Sequence, residues 1–190
     1  MVKKKNILNM TMAAMFMAVG IVLPFFTGQI PQIGKMLLPM HIPVLLCGLI
    51  CGWRYGLAVG FVMPFLRYSM FGMPVLFPTG IAMAFELATY GMASGLFYSR
   101  SCWQCVISLY RSIIAAMIAG RIVWAFVQMV LLGTGEGGFT LQMFIAGAFI
   151  NAVPGIILQL VLIPGIMVAL NRTGLVQFSR KKTSIQNAEG

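Results

Sequence analysis

The chain has 190 residues, of which 60% are hydrophobic and 8% are charged, and its mean hydropathy is +0.95. Soluble domains carry about a quarter of their residues as charges, so this composition excludes a water-soluble globular protein. The net charge of +10 comes from 13 Lys and Arg against three Glu and no Asp. These cations lie at the ends of apolar runs, which indicates membrane topology and argues against nucleic-acid binding.

Six apolar segments are expected to cross a lipid bilayer as helices, because about 20 residues span its hydrocarbon core. The approximate spans are 7–26, 41–53, 55–71, 77–98, 111–133 and 141–170. The first span follows three lysines and is too long for the apolar region of a cleaved signal peptide, so we expect it to remain as a helix. The sequence predicts an all-α integral membrane bundle, a single domain over residues 1–190 with a basic tail at 171–190.

The second span is short, since it follows the turn-rich stretch 27–39 and ends at Trp53–Arg54. It either crosses part of the membrane or uses the preceding loop to fill the outer leaflet. Pro64, Pro154 and Pro164 lie inside later spans, where each removes a backbone hydrogen bond and is expected to kink its helix. The predicted bundle is therefore bent.

Charge asymmetry orients the six spans. Alternate threading leaves Lys35 alone on one side and gathers ten cations on the other, namely Lys3, Lys4, Lys5, Arg54, Arg100, Arg111, Arg172, Arg180, Lys181 and Lys182. Since Lys and Arg accumulate on the cytoplasmic side, both termini are predicted to be cytoplasmic. The loops 27–40, 72–77 and 133–140 then face outwards, in a bacterial cytoplasmic membrane.

Glu86 is the first candidate for a binding residue. It lies near the middle of the fourth span, where a carboxylate is costly and normally faces a cavity or a partner. Arg121 lies at a similar depth in the fifth span. Two interpretations stay open, contact with a ligand and a structural ion pair with Arg121, and they are compatible.

Other polar and aromatic side chains are candidates for the same outer pocket. Arg67, near the outer end of the third span, is expected either to reach the lipid headgroups or to bind an anionic ligand. His41, the only histidine, begins the second span and serves either as a helix-end donor or as a ligand contact. Asn151 and Gln128 need buried partners. The candidate aromatic walls are Tyr68, Trp124 and Phe144.

The cysteines suggest a redox function only weakly. Cys102 and Cys105 form a C-x-x-C pair in a loop predicted to be cytoplasmic, where thiols stay reduced. A single pair lacks the further ligands of a zinc site. Cys47 and Cys51 share one helix face and are predicted to pack in the core.

Small residues recur four positions apart, at Ala14 and Ala18 and in glycine pairs such as Gly56–Gly60 and Gly91–Gly95. This spacing lets helices approach closely, so most of the pairs are predicted to form contacts within the bundle. Ala14 and Ala18 are instead candidates for docking another membrane subunit. Nucleotide-binding, zinc-protease and serine-nucleophile motifs are missing from the sequence, so we expect neither an enzyme nor a cofactor or metal site.

The stretch Leu38–Gly52, with Gly56–Gly60 and Gly72–Pro74, resembles the substrate-binding S components of energy-coupling factor (ECF) vitamin transporters. The resemblance implies a high-affinity binding subunit with an outward pocket covered by the loop between helices one and two. It also implies docking through the Ala14 and Ala18 pattern on a transmembrane T subunit within the lipid bilayer, with two cytoplasmic ATPases as further partners.

The substrate stays open among vitamins and related molecules. Arg67 or Arg121 would suit a carboxylate, whereas Glu86 would suit the donor edge of a pterin, aminopyrimidine or deazaguanine. Two other functions compete with the S component. One is a proton-coupled carrier that uses Glu86, and the other is a membrane thiol oxidoreductase that uses Cys102 and Cys105.

Overall fold

The computed structural model describes residues 2–26, 39–72, 74–101, 105–133 and 153–172. These ranges contain six α-helices and no strand. The helices are α1 (Val2–Phe26), α2 (His41–Cys51), α3 (Trp53–Phe71), α4 (Ile81–Arg100), α5 (Val106–Leu132) and α6 (Val153–Arg172). A single wide turn, Leu76–Gly80, leads into α4. The prediction of an all-α bundle is confirmed.

Three helical segments are long and apolar enough to cross a membrane by themselves. They are Asn6–Pro24 within α1, Val106–Leu132 and Val153–Arg172. Both α3 and α4 are also long, with 19 and 20 residues, but neither is among the segments of high enough hydropathy. Exposed large hydrophobic side chains are most numerous on α5 and also occur on α1, α3 and α6.

Helix α2 has only 11 residues and is buried along almost its whole length. At 1.5 Å per residue it is about 16 Å long, roughly half the thickness of a hydrocarbon core. Gly52 alone separates it from α3, with a φ of 97° that side chains with a Cβ rarely adopt. A short apolar helix therefore occupies the place of the predicted second span. Whether the preceding loop completes that span concerns residues 27–38, which lie outside the described ranges.

Helix α4 is the centre of the bundle and packs against α2, α3 and α5. It runs antiparallel to α3, because Gly91 meets Gly56 and, one turn further on, Leu87 meets Gly60. A Cβ on Gly91 would overlap the backbone of Gly56, and a Cβ on Gly48 of α2 would overlap the Gly91 carbonyl. The glycine pairs predicted to allow close contacts therefore join α2, α3 and α4 at backbone distance.

The remaining helices surround this glycine-rich centre. Helix α1 packs on α2 and α3, while α6 contacts α5 and α2. The start of α1 lies beside the α2–α3 turn, where the Asn9 side-chain amide donates to the Cys51 carbonyl at 3.4 Å. Arg54 stacks on Trp53 at this end, 5.2 Å from the ring centroid. Arg100 ends α4 at the same end, which fits the predicted cytoplasmic side.

Element boundaries differ from the sequence reading at several points. Helix α5 begins at Val106, five residues before the predicted span, since its helical hydrogen bonds continue through Arg111 to the N-terminal side. Pro64 and Pro164 lie inside α3 and α6 as predicted. Pro154 is the second residue of the described α6, so the kink predicted there concerns residues outside the described ranges. The predicted start of span six, 141–152, lies outside the described ranges.

Candidate functional site

Glu86 is the centre of a buried polar cluster on three helices. Only 2% of the residue is exposed. Its Oε1 atom accepts a hydrogen bond from the Tyr90 hydroxyl at 2.9 Å and lies 3.0 Å from Nη1 of Arg121. Nε2 of His41 lies 3.8 Å from the same oxygen. The ion pair with Arg121 that the sequence suggested is therefore present.

The helix arrangement explains how these four residues meet. Glu86 and Tyr90 are one turn apart on α4, so their side chains share a face. Helix α5 runs antiparallel to α4, since a Cβ on Gly120 would contact the Tyr90 ring, and this brings Arg121 level with Glu86. The parallel helix α2 begins with His41, whose ring lies 5.1 Å from the Tyr90 ring, centroid to centroid.

Several nitrogen atoms of this cluster remain available for further hydrogen bonds. Nδ1 and Nε2 of His41 and Nε and Nη2 of Arg121 are buried, and they have no hydrogen-bond partner among the residues that the structure describes. His41 is only 1% exposed. Most buried polar groups in proteins are hydrogen-bonded, so a concentration of unsatisfied nitrogens at one place is typical of a site that receives another molecule.

Trp124 and Gln128 lie on the same face of α5 as Arg121, three and seven residues after it in the chain. They are nearer than Arg121 to the end of the helix that is predicted to face outwards. Gln128 is buried, and its Oε1 has no partner in the described part of the chain. Trp124 is half-buried. Both were predicted to line a pocket, and both lie on the same helix face as the cluster. That they contact a ligand stays a prediction.

Arg67 lies near the end of α3 and is half-buried, with Nη1 buried and unpartnered within the described ranges. It forms no ion pair with Glu86. Neighbouring Tyr68 is 41% exposed and so lies away from the cluster. Asn151 and Phe144, also predicted near the pocket, lie outside the described residues.

Ala14 and Ala18 are exposed on α1, whereas Ala13 and Phe16 point into the core. A shallow apolar groove on this helix is lined by Ala18, Val19, Val22 and Leu23. The small-residue stripe therefore faces away from the bundle. Its role in docking stays a prediction.

The cysteines divide between the core and a connecting segment. Cys47 and Cys51 are buried with free thiols, as the packing interpretation predicted. Cys105 is half-buried at the start of α5, and Cys102 lies outside the described ranges. No group of three metal-binding side chains occurs among the described residues.

The sequence reading missed Tyr90 as a member of the cluster. Its signal was present, because a tyrosine one helical turn after a buried acid can donate to that acid. The four side chains are suited to binding a ligand. The Glu86 carboxylate is held by donors of the protein, and the Arg121 guanidinium and the His41 imidazole have nitrogens without hydrogen-bond partners in the described ranges.

Comparison with known families gives one match. The model of the ECF transporter, substrate-specific component, family matches residues 8–168. No curated protein and no solved structure matches the chain. The match covers all six described helices except a few terminal residues, and with it the whole Glu86 cluster. The chain is therefore a member of the family of substrate-specific components of ECF transporters.

Proposed function

We propose that the chain is the high-affinity substrate-binding subunit of an ECF-type importer for a water-soluble vitamin or a related small molecule. The observation that carries this proposal is the family match over residues 8–168. The buried cluster of His41, Glu86, Tyr90 and Arg121 supports it, since charged side chains at membrane depth are typical of substrate sites.

Loading takes place from outside the cell. His41 begins α2 directly after the loop 27–40, which the sequence predicts to face outwards as a gate. The cluster lies in the same half of the bundle as the start of α2 and the end of α3. Because its side chains are buried, a ligand reaches them only after this end of the bundle opens.

Transport requires partners, because the sequence contains no nucleotide-binding motif. A transmembrane T subunit docks on the exposed face of α1 at Ala14 and Ala18, and two cytoplasmic ATPases supply the energy. The exposure of both alanines and the apolar groove beside Ala18 support this assignment. The complex resides in the bacterial cytoplasmic membrane, with both termini of this subunit in the cytoplasm.

Mass spectrometry of the molecules released from the purified chain tests the binding function. The chain is purified from cells grown in rich medium and denatured, and the released small molecules are identified and quantified. We expect one water-soluble compound at close to one molecule per chain. Release of lipid and detergent alone, from protein that binds no vitamin added afterwards, would contradict a substrate-binding role.

A further inference from the structure

We propose that the substrate of this site carries a carboxylate group, which Arg121 and His41 bind beside Glu86. This inference rests on the proposed function, because it assigns a substrate class to the same site. The sequence left two classes open, an anion for the arginines or a donor-rich ring edge for Glu86. The contacts around Glu86 distinguish between them.

Glu86 is already engaged by donors of the protein itself. Tyr90 and Arg121 lie at hydrogen-bonding distance from its Oε1 atom, and His41 lies just beyond. A donor group of a substrate would have to compete with these internal donors. Glu86 is therefore best suited to fix Arg121 and His41 in place, on helices α5 and α2.

One edge of the Arg121 guanidinium has no hydrogen-bond partner among the described residues. Its Nη1 atom pairs with Glu86, while Nε and Nη2, which lie along one edge of the guanidinium, are buried without partners in the described ranges. Two parallel N–H groups on one edge of an arginine match the two oxygens of a carboxylate. The free edge thus has the geometry for bidentate binding of one carboxylate.

His41 adds donor capacity at the same place. Neither of its ring nitrogens has a hydrogen-bond partner among the described residues, although the residue is 1% exposed. Because its Nε2 atom and Nη1 of Arg121 both lie within 4 Å of the same Glu86 oxygen, both side chains are within reach of a single small group. A neutral imidazole donates one hydrogen bond and a protonated one donates two.

The charge balance also favours an anion. Glu86 is the only carboxylate side chain in the described part of the chain, and it is paired with Arg121. Arg67, in the same half of the bundle, adds a second guanidinium with a buried, unpartnered Nη1. Because the Glu86–Arg121 pair is neutral, Arg67 is the cation in this half of the bundle that lacks an anionic partner among the described residues, and a carboxylate on the substrate would offset its charge.

Matched acid and neutral probes test the proposal on the purified, detergent-solubilised chain. Isothermal titration compares pantothenate with panthenol, biotin with biotinamide and nicotinate with nicotinamide, and includes riboflavin, thiamine and pyridoxine as ligands without a carboxylate. We expect the tightest ligand to be an acid, with its neutral counterpart at least about 100-fold weaker, because two charge-assisted hydrogen bonds are lost.

The outcomes separate this proposal from the proposed function. Tight binding of riboflavin, thiamine or pyridoxine, or equal binding of an acid and its neutral counterpart, overturns the carboxylate assignment and leaves the binding function intact. Failure of a folded protein to bind any member of the panel contradicts both.

Variants of His41 and Arg121 test whether these two side chains contact the carboxylate. His41→Phe keeps a ring against Tyr90 but removes the Nε2 atom that lies 3.8 Å from Glu86, so we expect a small fall in melting temperature and about tenfold weaker acid binding. Arg121→Lys keeps a cation opposite Glu86 but removes the fork, and we expect a loss of about 100-fold. Ser112→Ala is the control on the same helix as Arg121. The Ser112 hydroxyl donates to the Ser108 carbonyl of its own helix at 2.8 Å, so the change removes a buried hydrogen bond that does not belong to the Glu86 cluster. Parental affinity in both His41→Phe and Arg121→Lys overturns the assignment, and His41→Phe decides alone if Arg121→Lys does not fold.

Discussion

Glu86 shows why a charged residue persists at membrane depth. Moving a carboxylate and a guanidinium out of water costs several kcal/mol each, and the pair offsets this cost only with good geometry and further hydrogen bonds. Tyr90 supplies such a bond, and His41 lies against the same oxygen. The stability of this half of the bundle therefore depends on the balance between Glu86 and Arg121.

Replacing Glu86 by Gln should expose this dependence. The variant keeps the size of the side chain but leaves Arg121 as an unpaired buried cation, so we expect a loss of about 3–5 kcal/mol of stability. Tyr90→Phe removes one hydrogen bond to a charged group and should cost about 1.5–3 kcal/mol. Melting curves in detergent give the ranking. A Glu86→Gln protein as stable as the parent would show that the ion pair contributes nothing to the fold.

At this scale the sequence identified the ionisable residues and offered Arg121 as one partner of Glu86, but it left open whether that pair forms and gave no place to Tyr90. Glu86, His41 and Arg121 stand out because ionisable residues are rare in apolar segments. Whether Arg121 faces Glu86 depends on the rotation of α5 about its own axis, which the Gly120–Tyr90 contact sets. That contact joins residues 30 positions apart in the chain, so no local pattern reveals it.

Among the elements, the glycine-packed unit of α2, α3 and α4 holds the site in place. Gly48, Gly56 and Gly91 bring three backbones together, and the same packing sets His41 level with Glu86. Apolar runs and turn residues are local signals, so the sequence located the helices along the chain, although several helix ends differ from the predicted spans by two to five residues. The wide turn before α4 was missed, since residues 76–80 are apolar and read as part of the span.

Gly91→Ala tests this packing. Its Cβ would meet the Gly56 backbone, which cannot move aside as a flexible side chain would, so we expect a strongly destabilised or misfolded protein. Gly165→Ala on α6 is the matched control, because its Cβ meets nothing within 4 Å. That change should be neutral or raise stability by up to about 1 kcal/mol. Folded yield and melting temperature measure both, and equal values for the two variants would refute close backbone packing at Gly91.

Helix α1 carries the test of subunit docking. Ala14→Leu or Ala18→Leu enlarges an exposed position, so we expect uptake by the whole transporter to fail while ligand binding to the isolated subunit is unchanged. Ala13→Leu is the contrasting variant, since Ala13 is buried and its enlargement should disturb the fold instead. Equal loss of binding and uptake in the Ala14 and Ala18 variants would place the stripe in the bundle contacts.

For the whole molecule, the orientation in the membrane follows from the distribution of cations. Arg54 and Arg100 lie at one end of the bundle and the Glu86 cluster lies towards the other, so a cytoplasmic basic end leaves the cluster accessible from outside. Composition predicted a membrane protein, and the positions of the cations predict this orientation. The substrate could not be predicted in the same way, because it depends on which donors remain unpaired after the helices pack.

Cysteine labelling tests the topology in a background without the four native cysteines. With Thr134→Cys in the predicted outer loop, a membrane-impermeant maleimide should react in intact cells. With Ser184→Cys in the predicted cytoplasmic tail, it should react only after permeabilisation. The reverse pattern would require the opposite orientation and would place the loading end in the cytoplasm.

The central claim is that this chain is the substrate-binding subunit of an ECF importer. Affinity purification of the tagged chain from its native membrane in mild detergent, followed by mass spectrometry, tests it most directly. We predict that a T subunit and two ATPases copurify with the parental chain and that Ala14→Leu reduces their recovery. A parental chain recovered without any ATPase or T subunit, from membranes that contain them, would contradict the claim.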